Sequence, residues 1–497
     1  MDASRPLSID VIVPRDRPRR WQGELIRRLV AEGHDIAILH DPTGKPWSMA
    51  TNALLALERS VFCRKGEGLA APLEAIAARP RQRPPELRLD LAGNAEVSGV
   101  PTLALHYHGS SFDLAAAATV ARGVLPVLEA SLDRRTVVGR ALPMIDRRET
   151  SSLGVEDVLA RVVTLLVVTV RDFSEGRLNP LGTPLPAGGK SGFAGAYLAW
   201  SLPRLGREAL RRAFFRHAHW RVGYRFHEGQ GVAETGRLGT GWQVLPDPGD
   251  RFYADPFPLH WQGRPYLFLE DYVHATGKAV ISVVPFDDGG RPQTPRVVLE
   301  EPHHLSYPQV FERDGTVWML PEASTSGRLT LYRAVDFPDR WIPEAILLHG
   351  EVSDATLLEK DGRLWLFATS RDGFGSTSDT MAVFSASSLT GPWRPHGLNP
   401  ILIDRRRARP GGAFVRGAGG KLSLPVQDGT LGYGGGLGLS ELLELDDGKV
   451  RLAEPRPILA DGDWPYPRIH TLNRSGPLEV IDGIAAVPRW SRRNSAS

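Results

Sequence analysis

Two kinds of hydrophobic pattern divide the chain. Over residues 1–175 short apolar runs alternate with segments of helical period. Residues 9–13 form a short run of strand type, apolar except at Asp10. Residues 20–32 follow with Trp21, Leu25, Leu29 and Val30 at helical spacing, and Gly33 is placed to stop that helix. Residues 35–39, 87–91 and 102–106 read as further strands, 49–62 as a helix, and 155–173 as a long apolar closing helix. Alternation of strand and helix predicts a Rossmann-like α/β domain with a parallel sheet and crossover helices. Residues 179–192 are rich in Pro and Gly and read as a linker. A basic amphipathic helix over 203–217 completes a connecting segment, 176–219. Leu205, Leu210, Phe214 and Phe215 beside several arginines suit a helix docked between two domains, or one lying on a membrane surface.

Beyond Trp220 helical periodicity gives way to short β-rich runs separated by Gly, Pro and Asp. A turn glycine followed by an apolar strand recurs five times: GRPYLFLED from Gly263, GTVWMLPEA from Gly315, GRLWLFATS from Gly362, GKLSLPVQD from Gly420 and GPLEVIDG from Gly476. A spacing of roughly 50 residues made only of strands is that of propeller blades, so 220–485 is predicted to be a five-bladed β-propeller. Residues 486–497 are expected to be a disordered tail.

Each repeated strand is preceded by another that would line the axis. Their rim ends carry Asp255, Tyr307, Asp354, Arg409 and His470; the returning strands deliver Glu270, Asp271, Glu322, Arg371, Gln427, Asp428 and Asp482 to the same rim. Crowded carboxylates split into acids and bases according to their surroundings. A polar funnel that also carries aromatic residues suits sugars. Asp314, Asp361 and the pair 287–288 read instead as turn residues. His303 and His304 stand close to Tyr307 in sequence, but no metal-ligand spacing stands out.

Composition changes this picture little. The chain has 497 residues, a formal net charge of +3 and 42% hydrophobic content. Those values suit more than one globular domain and do not prompt a nucleic-acid partner. The single cysteine, Cys63, excludes an intrachain disulfide. With no apolar leader at the start and no apolar run near the roughly 20 residues a bilayer requires, the expected location is cytoplasmic.

The motifs ADPF at Asp255, YLFLED through Glu270, HLSYPQVFE around Tyr307, PE at Glu322, DATL at Asp354, GPW at Trp393, ARPGG at Arg409, QD at Asp428 and HTLN at His470 carry a resemblance. In these the chain is similar to bacterial relatives of the amino-terminal propeller of plant glucosamine inositolphosphorylceramide transferase. The blades also resemble those of the glycoside hydrolase clan of arabinanases and fructosidases. That clan places an Asp in blade one, an Asp in blade two and a Glu in blade three. Asp255 matches the first; blade two offers Tyr307 and Glu322, and blade three Asp354. The first region resembles a diverged formyltransferase: LALHYHGS keeps the family's His as His108, with His106 where the family has Asn, and SLDRRTVVGRALPMIDRRET supplies Asp133. Loss of that amide weakens an oxyanion site, so the resemblance implies a non-catalytic domain.

The expected function is carbohydrate chemistry in glycan or glycolipid biosynthesis, by glycosyl transfer or cleavage at the propeller mouth. Asp255 or Asp354 would be the base and Glu322 the acid. Glu270, Asp271, Tyr307, Arg409, Gln427, Asp428, His470 and Asp482 would bind substrate. No cofactor is expected beyond an unknown sugar donor. The alternatives are a non-catalytic glycan-binding scaffold, and formyl transfer to a nucleotide-linked amino sugar.

Overall fold

The computed structural model describes residues 5–43, 46–62, 68–94, 99–186, 192–216 and 218–489. Cys63 and most of the expected tail lie outside them. The chain forms two compact units, 1–210 with 374–376, and 211–373 with 377–497.

In the first unit strands Asp35–Asp41, Ser8–Pro14, Leu87–Asp90 and Thr102–Tyr107 lie side by side and parallel. Ser8–Pro14 is buried on both faces, and its one buried charge, Asp10, is paired with Arg81. Helix Arg20–Ala31 turns Trp21, Gln22, Leu25 and Leu29 inward. Helix Met49–Val61 starts on Ser48, whose side chain accepts a hydrogen bond from the Thr51 amide. Helix Ser151–Ser174 is the apolar closing helix. The wholly parallel sheet expected from alternation is corrected here. Leu128–Leu132 and Thr136–Ala141 form an antiparallel hairpin that extends the sheet beyond Thr102–Tyr107. Residues 133–135 are too few for a crossover helix, so the chain can only turn back. Among the described residues no helix is long and apolar enough to cross a membrane.

The second unit is a five-bladed β-propeller. Blade 1 is built from Arg251–Trp261, Arg264–Val273, Lys278–Pro285 and Arg296–Leu299; blade 2 from Ser306–Arg313, Thr316–Glu322, Arg328–Asp336 and Arg340–His349. Blade 3 begins with Glu351–Lys360, Arg363–Arg371 and Thr380–Ala386, and blade 4 with Arg409–Pro410, Leu422–Gln427 and Leu437–Leu445. Blade 5 is assembled from both ends of the unit. Leu472–Ser475 and Leu478–Ile484 pair with Trp220–Phe226, an antiparallel ladder running from Leu478 opposite Phe226 to Ile484 opposite Trp220. A strand that precedes the first repeat thus completes the last blade and closes the ring.

The first two strands of each blade turn at or beside the repeat glycines. Asp314 and Asp361 take left-handed backbone, φ 54° each, in those turns, as their turn reading expects. The core runs between blades: Phe268, Ile281 and Val283 of blade 1 pack with Val310, Met319 and Trp341 of blade 2. The same arrangement recurs between blades 2 and 3, where Leu320 and Leu331 meet Leu366 and Ala368. Alternation along each strand sends one face to either neighbour, so every blade is apolar on both sides.

Candidate active site at the propeller axis

The axial strands break their ladders at equivalent points. Register shifts fall opposite 254–257 in blade 1, between Ser306 and Gln309 in blade 2, and between Ser353 and Thr356 in blade 3. At each break one residue is left-handed: Asp255 (φ 48°), Tyr307 (φ 45°) and Asp354 (φ 50°). Such backbone is unfavourable for side chains other than Gly, Asn or Asp, and a tyrosine there is a marked outlier. Three blades hold this conformation at one level of the axis, and bulges of this kind re-aim side chains.

What they aim is a buried polar cluster. Asp354 is gripped by Arg409, whose Nε and Nη2 donate to its two oxygens at 2.6 and 3.1 Å, and by Gln427 Nε2 at 2.8 Å. Burial raises the Asp354 carboxyl, and the Arg409 guanidinium opposes that rise. Asp255 accepts from the Thr471 hydroxyl at 2.8 Å and the Tyr307 amide at 3.3 Å. Burial lifts its carboxyl to about 7, against the pull of His470. His470 Nδ1 lies 2.7 Å from Asp482 Oδ1, and its Nε2 lies 3.6 Å from Asp255 Oδ1. Burial alone would lower this imidazole, but Asp482 and Asp255 outweigh it and the net shift is upward. Asp482 Oδ1 also accepts the His470 and Thr471 amides, and Oδ2 accepts the Asp255 amide, tying blade 5 to blade 1.

Glu270 is pushed well above the carboxylate range, first by burial and then by Asp255, Glu322, Asp482 and Asp354. Its neighbour is His304, whose Nε2 stands 3.4 Å from Glu270 Oε1. The Ala279 amide donates to His304 Nδ1, which leaves the neutral ring's proton on the nitrogen that faces Glu270. Glu322 uses both oxygens as acceptors, from Ser306 Oγ at 2.6 Å and the Ser324 amide at 2.7 Å.

The structure therefore groups Asp255, Glu270, Glu322, Asp354, Arg409, Gln427, His470 and Asp482. Three expected binders stand elsewhere. Asp271 follows Glu270 on an extended strand, so it points to the opposite face, where Arg251 and Ser282 hold it. Asp428 caps the turn Gly429–Leu431 through the Thr430 amide. Tyr307 is fully buried; its hydroxyl meets Thr356 of blade 3 at 2.8 Å and accepts from the Gly412 amide at 2.7 Å, so it fills the axis.

The formyltransferase-like residues are not brought to one place either. His106 Nε2 is 2.7 Å from the Ser131 hydroxyl, whereas the Asp133 carboxylate accepts from the Thr102 amide. Thr102 and His106 are four residues apart on one strand, roughly 13 Å. His108, left-handed at φ 52°, follows the far end of that strand. Asp133 is also left-handed, φ 51°, and serves its hairpin turn.

Two residues absent from the sequence reading complete the axial site. The Trp220 ring stacks on His470 with centroids 3.8 Å apart and an interplanar angle of 8°. Tyr433 stands edge-on to both rings, with the Arg409 guanidinium carbon 5.2 Å from its centroid, and remains 45% exposed. Its loop needs glycine at 434: φ is 63°, and a Cβ there would lie 2.1 Å from Trp220 Cη2. The run GYGGG was the available signal for an aromatic residue on a close-fitting turn. A cation would find its donors in Asp255, His470 and Asp482, whose ligand atoms lie within 4.8 Å of one another.

Fold and site together define a five-bladed propeller with an acidic, aromatic-fringed axis. The family described as glucosamine inositolphosphorylceramide transferase 1, N-terminal, matches residues 246–451. That stretch includes Asp255, Glu270, Glu322, Asp354, Arg409 and Tyr433 but stops before His470 and Asp482. The Arabidopsis thaliana glucosamine inositolphosphorylceramide transferase 1 is 36% identical over 209 residues, 41% of this chain and 27% of the plant protein. The protein of that name from Oryza sativa subsp. indica is 36% identical over 189 residues, 37% of this chain and 25% of its own length. The similarity thus spans about a quarter of each of these relatives. Among solved structures, an exo-β-1,3-galactanase from Clostridium thermocellum gives a TM-score of 0.35 at 13% identity, covering 54% of this chain and 63% of its own. An α-L-arabinanase from Cellvibrio cellulosa, complexed with arabinohexaose, gives 0.32 at 20% identity, covering 40% and 76%.

Proposed function

We propose that the propeller axis is the active site of a carbohydrate-active enzyme that transfers or cleaves a glycosyl group on a glycan or glycolipid. One observation carries this reading: carboxyl groups gathered from several blades are buried together, yet held in different states. A core built only for stability would place apolar residues there, because burying mutually repelling carboxyls is costly.

Asp255, with a carboxyl near 7, is suited to accept the proton of the attacking hydroxyl, and His470 with Asp482 sets its charge. Glu270, whose carboxyl burial and the neighbouring carboxylates push well above the carboxylate range, is suited to deliver a proton to the departing glycosidic or phosphate oxygen. It takes the acid role that the sequence suggested for Glu322, whose two oxygens are already acceptors. Asp354, with both oxygens engaged, is a positioning residue that orients Arg409. Tyr433, 45% exposed at the rim of the cluster, is the aromatic residue against which a sugar can pack. The name of the plant relatives, glucosamine inositolphosphorylceramide transferase, supports a glycan or glycolipid substrate.

The test is turnover with nucleotide-linked and lipid-linked sugar donors and with oligosaccharides. Asp255→Asn and Glu270→Gln should each lower it by about 10²–10⁴-fold. Undiminished turnover in both variants would remove the assignment. The nearly complete shielding of Asp255 and Asp354, 4% and 2% exposed, favours a second reading, a glycan-binding module. Saturable oligosaccharide binding without product in any assay would select it.

A further inference from the structure

Helix Leu202–Phe214 is amphipathic, but it faces the wrong way for a soluble protein. Leu202, Gly206, Ala209, Leu210 and Ala213 follow the i, i+4, i+7, i+8, i+11 spacing of a single apolar face. All five are exposed, Leu202 at 54% and Leu210 at 63%, and no residue of the helix is buried. The other side carries Arg204, Glu208, Arg211 and Arg212, all half-buried. Arg204 is tied to the fold, its Nη2 donating to the Val120 carbonyl at 3.1 Å and to Ser201 Oγ at 3.2 Å. Arg204, Glu208, Arg211 and Arg212 are thus turned inward beside the half-buried Leu205, while Leu202 and Leu210 face outward. The apolar surface continues toward the N-terminus, where Leu198 is 60% exposed and Trp200 58%, and ends at Phe214, 48% exposed.

Exposed contiguous apolar surface on this scale needs a partner. The charge around it indicates which kind. Five arginines, at 204, 207, 211, 212 and 216, stand against the single acid Glu208 between residues 202 and 216, and Arg207 is exposed beside the apolar face. Leu, Trp and Phe on one face with arginines along its borders is the composition of a helix lying in the plane of an anionic membrane surface. We propose that residues 198–214 dock this protein on anionic lipid, with Leu198, Trp200, Leu202, Leu210 and Phe214 entering the headgroup boundary and Arg207 meeting lipid phosphates. This goes beyond the sugar chemistry proposed above and does not depend on it.

The experiment is sedimentation of the full chain with vesicles of phosphatidylcholine alone and of phosphatidylcholine mixed with phosphatidylglycerol. The native chain should bind the mixed vesicles, and added salt should weaken that binding. Leu202→Glu/Leu210→Glu should lower affinity by about tenfold or more while leaving the circular dichroism spectrum unchanged, since both side chains already face solvent. Arg207→Gln should reduce the preference for the anionic lipid. No sedimentation with the mixed vesicles would overturn the proposal, as would equal binding by the double glutamate variant. Conversion of a dimer into a monomer by that variant, without vesicle binding by either protein, would assign the face to a second copy and overturn it as well.

Discussion

Replacing Asp255 by asparagine tests the electrostatics of the axis without relying on any substrate. Burial lifts this carboxyl from an ordinary 3.8 to about 7. The folded protein therefore holds the proton more tightly than the unfolded chain. The associated stability is full below about pH 4 and is lost as pH rises through 7. At 1.36 kcal/mol per pH unit, a rise of roughly three units makes the loss about 4 kcal/mol. That figure is a ceiling, because water and side chains relax toward an ionised carboxylate even in a buried site. Asparagine cannot ionise and escapes this loss. It does forfeit one of two accepted hydrogen bonds, from the Thr471 hydroxyl or the Tyr307 amide, at a pH-independent cost of about 1–3 kcal/mol. Urea unfolding followed by near-ultraviolet circular dichroism, from about pH 4 to about pH 8, should show Asp255→Asn less stable in acid. The gap should close or reverse as pH rises. Stability curves that stay parallel across the range would refute the reasoning.

Three further outcomes follow from the same geometry. Arg409→Met leaves Asp354 buried without its cation, at about 3–5 kcal/mol, or roughly 6–10 °C in the thermal midpoint of the propeller; adding Asp354→Asn should recover most of it, and no recovery would show that the pair is not the source. Tyr433→Ala should lower the midpoint only modestly, because the residue is 45% exposed, yet weaken oligosaccharide binding by about 5- to 30-fold, as calorimetry would detect. His108→Ala should not alter consumption of a formyl-folate donor, since His106, His108 and Asp133 do not meet; a donor consumption that the substitution abolishes would overturn that reading.

Much of the architecture was legible because it rests on local periodicity. Most strands and helices of the first unit follow apolar runs and helical spacing, while the alanine-rich helix Leu114–Ala121 and the hairpin 128–141 escaped. The hairpin's three-residue turn was the clue to an antiparallel pair, but the reversal already present between Thr102–Tyr107 and Leu128–Leu132 had no such mark. The blades were legible because each repeats a glycine turn and an apolar strand. The partners of Asp354 and Asp255 could be placed at one rim by symmetry, since equivalent positions converge on an axis.

Other features depend on through-space neighbours that spacing does not encode. Asp271 was grouped with Glu270 by adjacency, but a strand's period of two sends consecutive side chains to opposite faces. Tyr307 occupies a rim position in sequence, and only tertiary contacts with Thr356 and Gly412 make it a plug of the axis. Trp220 and Tyr433 reach the site because the ring closes on a strand from before the first repeat and because a glycine-rich loop fits against that strand's tryptophan.

By itself the sequence determined two architectures, a ring of polar residues and an amphipathic helix, since periodicity and repetition are properties of the chain alone. Only the tertiary structure decided which carboxyl is clamped by Arg409, which is lifted to about 7, and which way that helix turns its leucines. Burial and pairing set those outcomes, and both depend on what surrounds a residue in space.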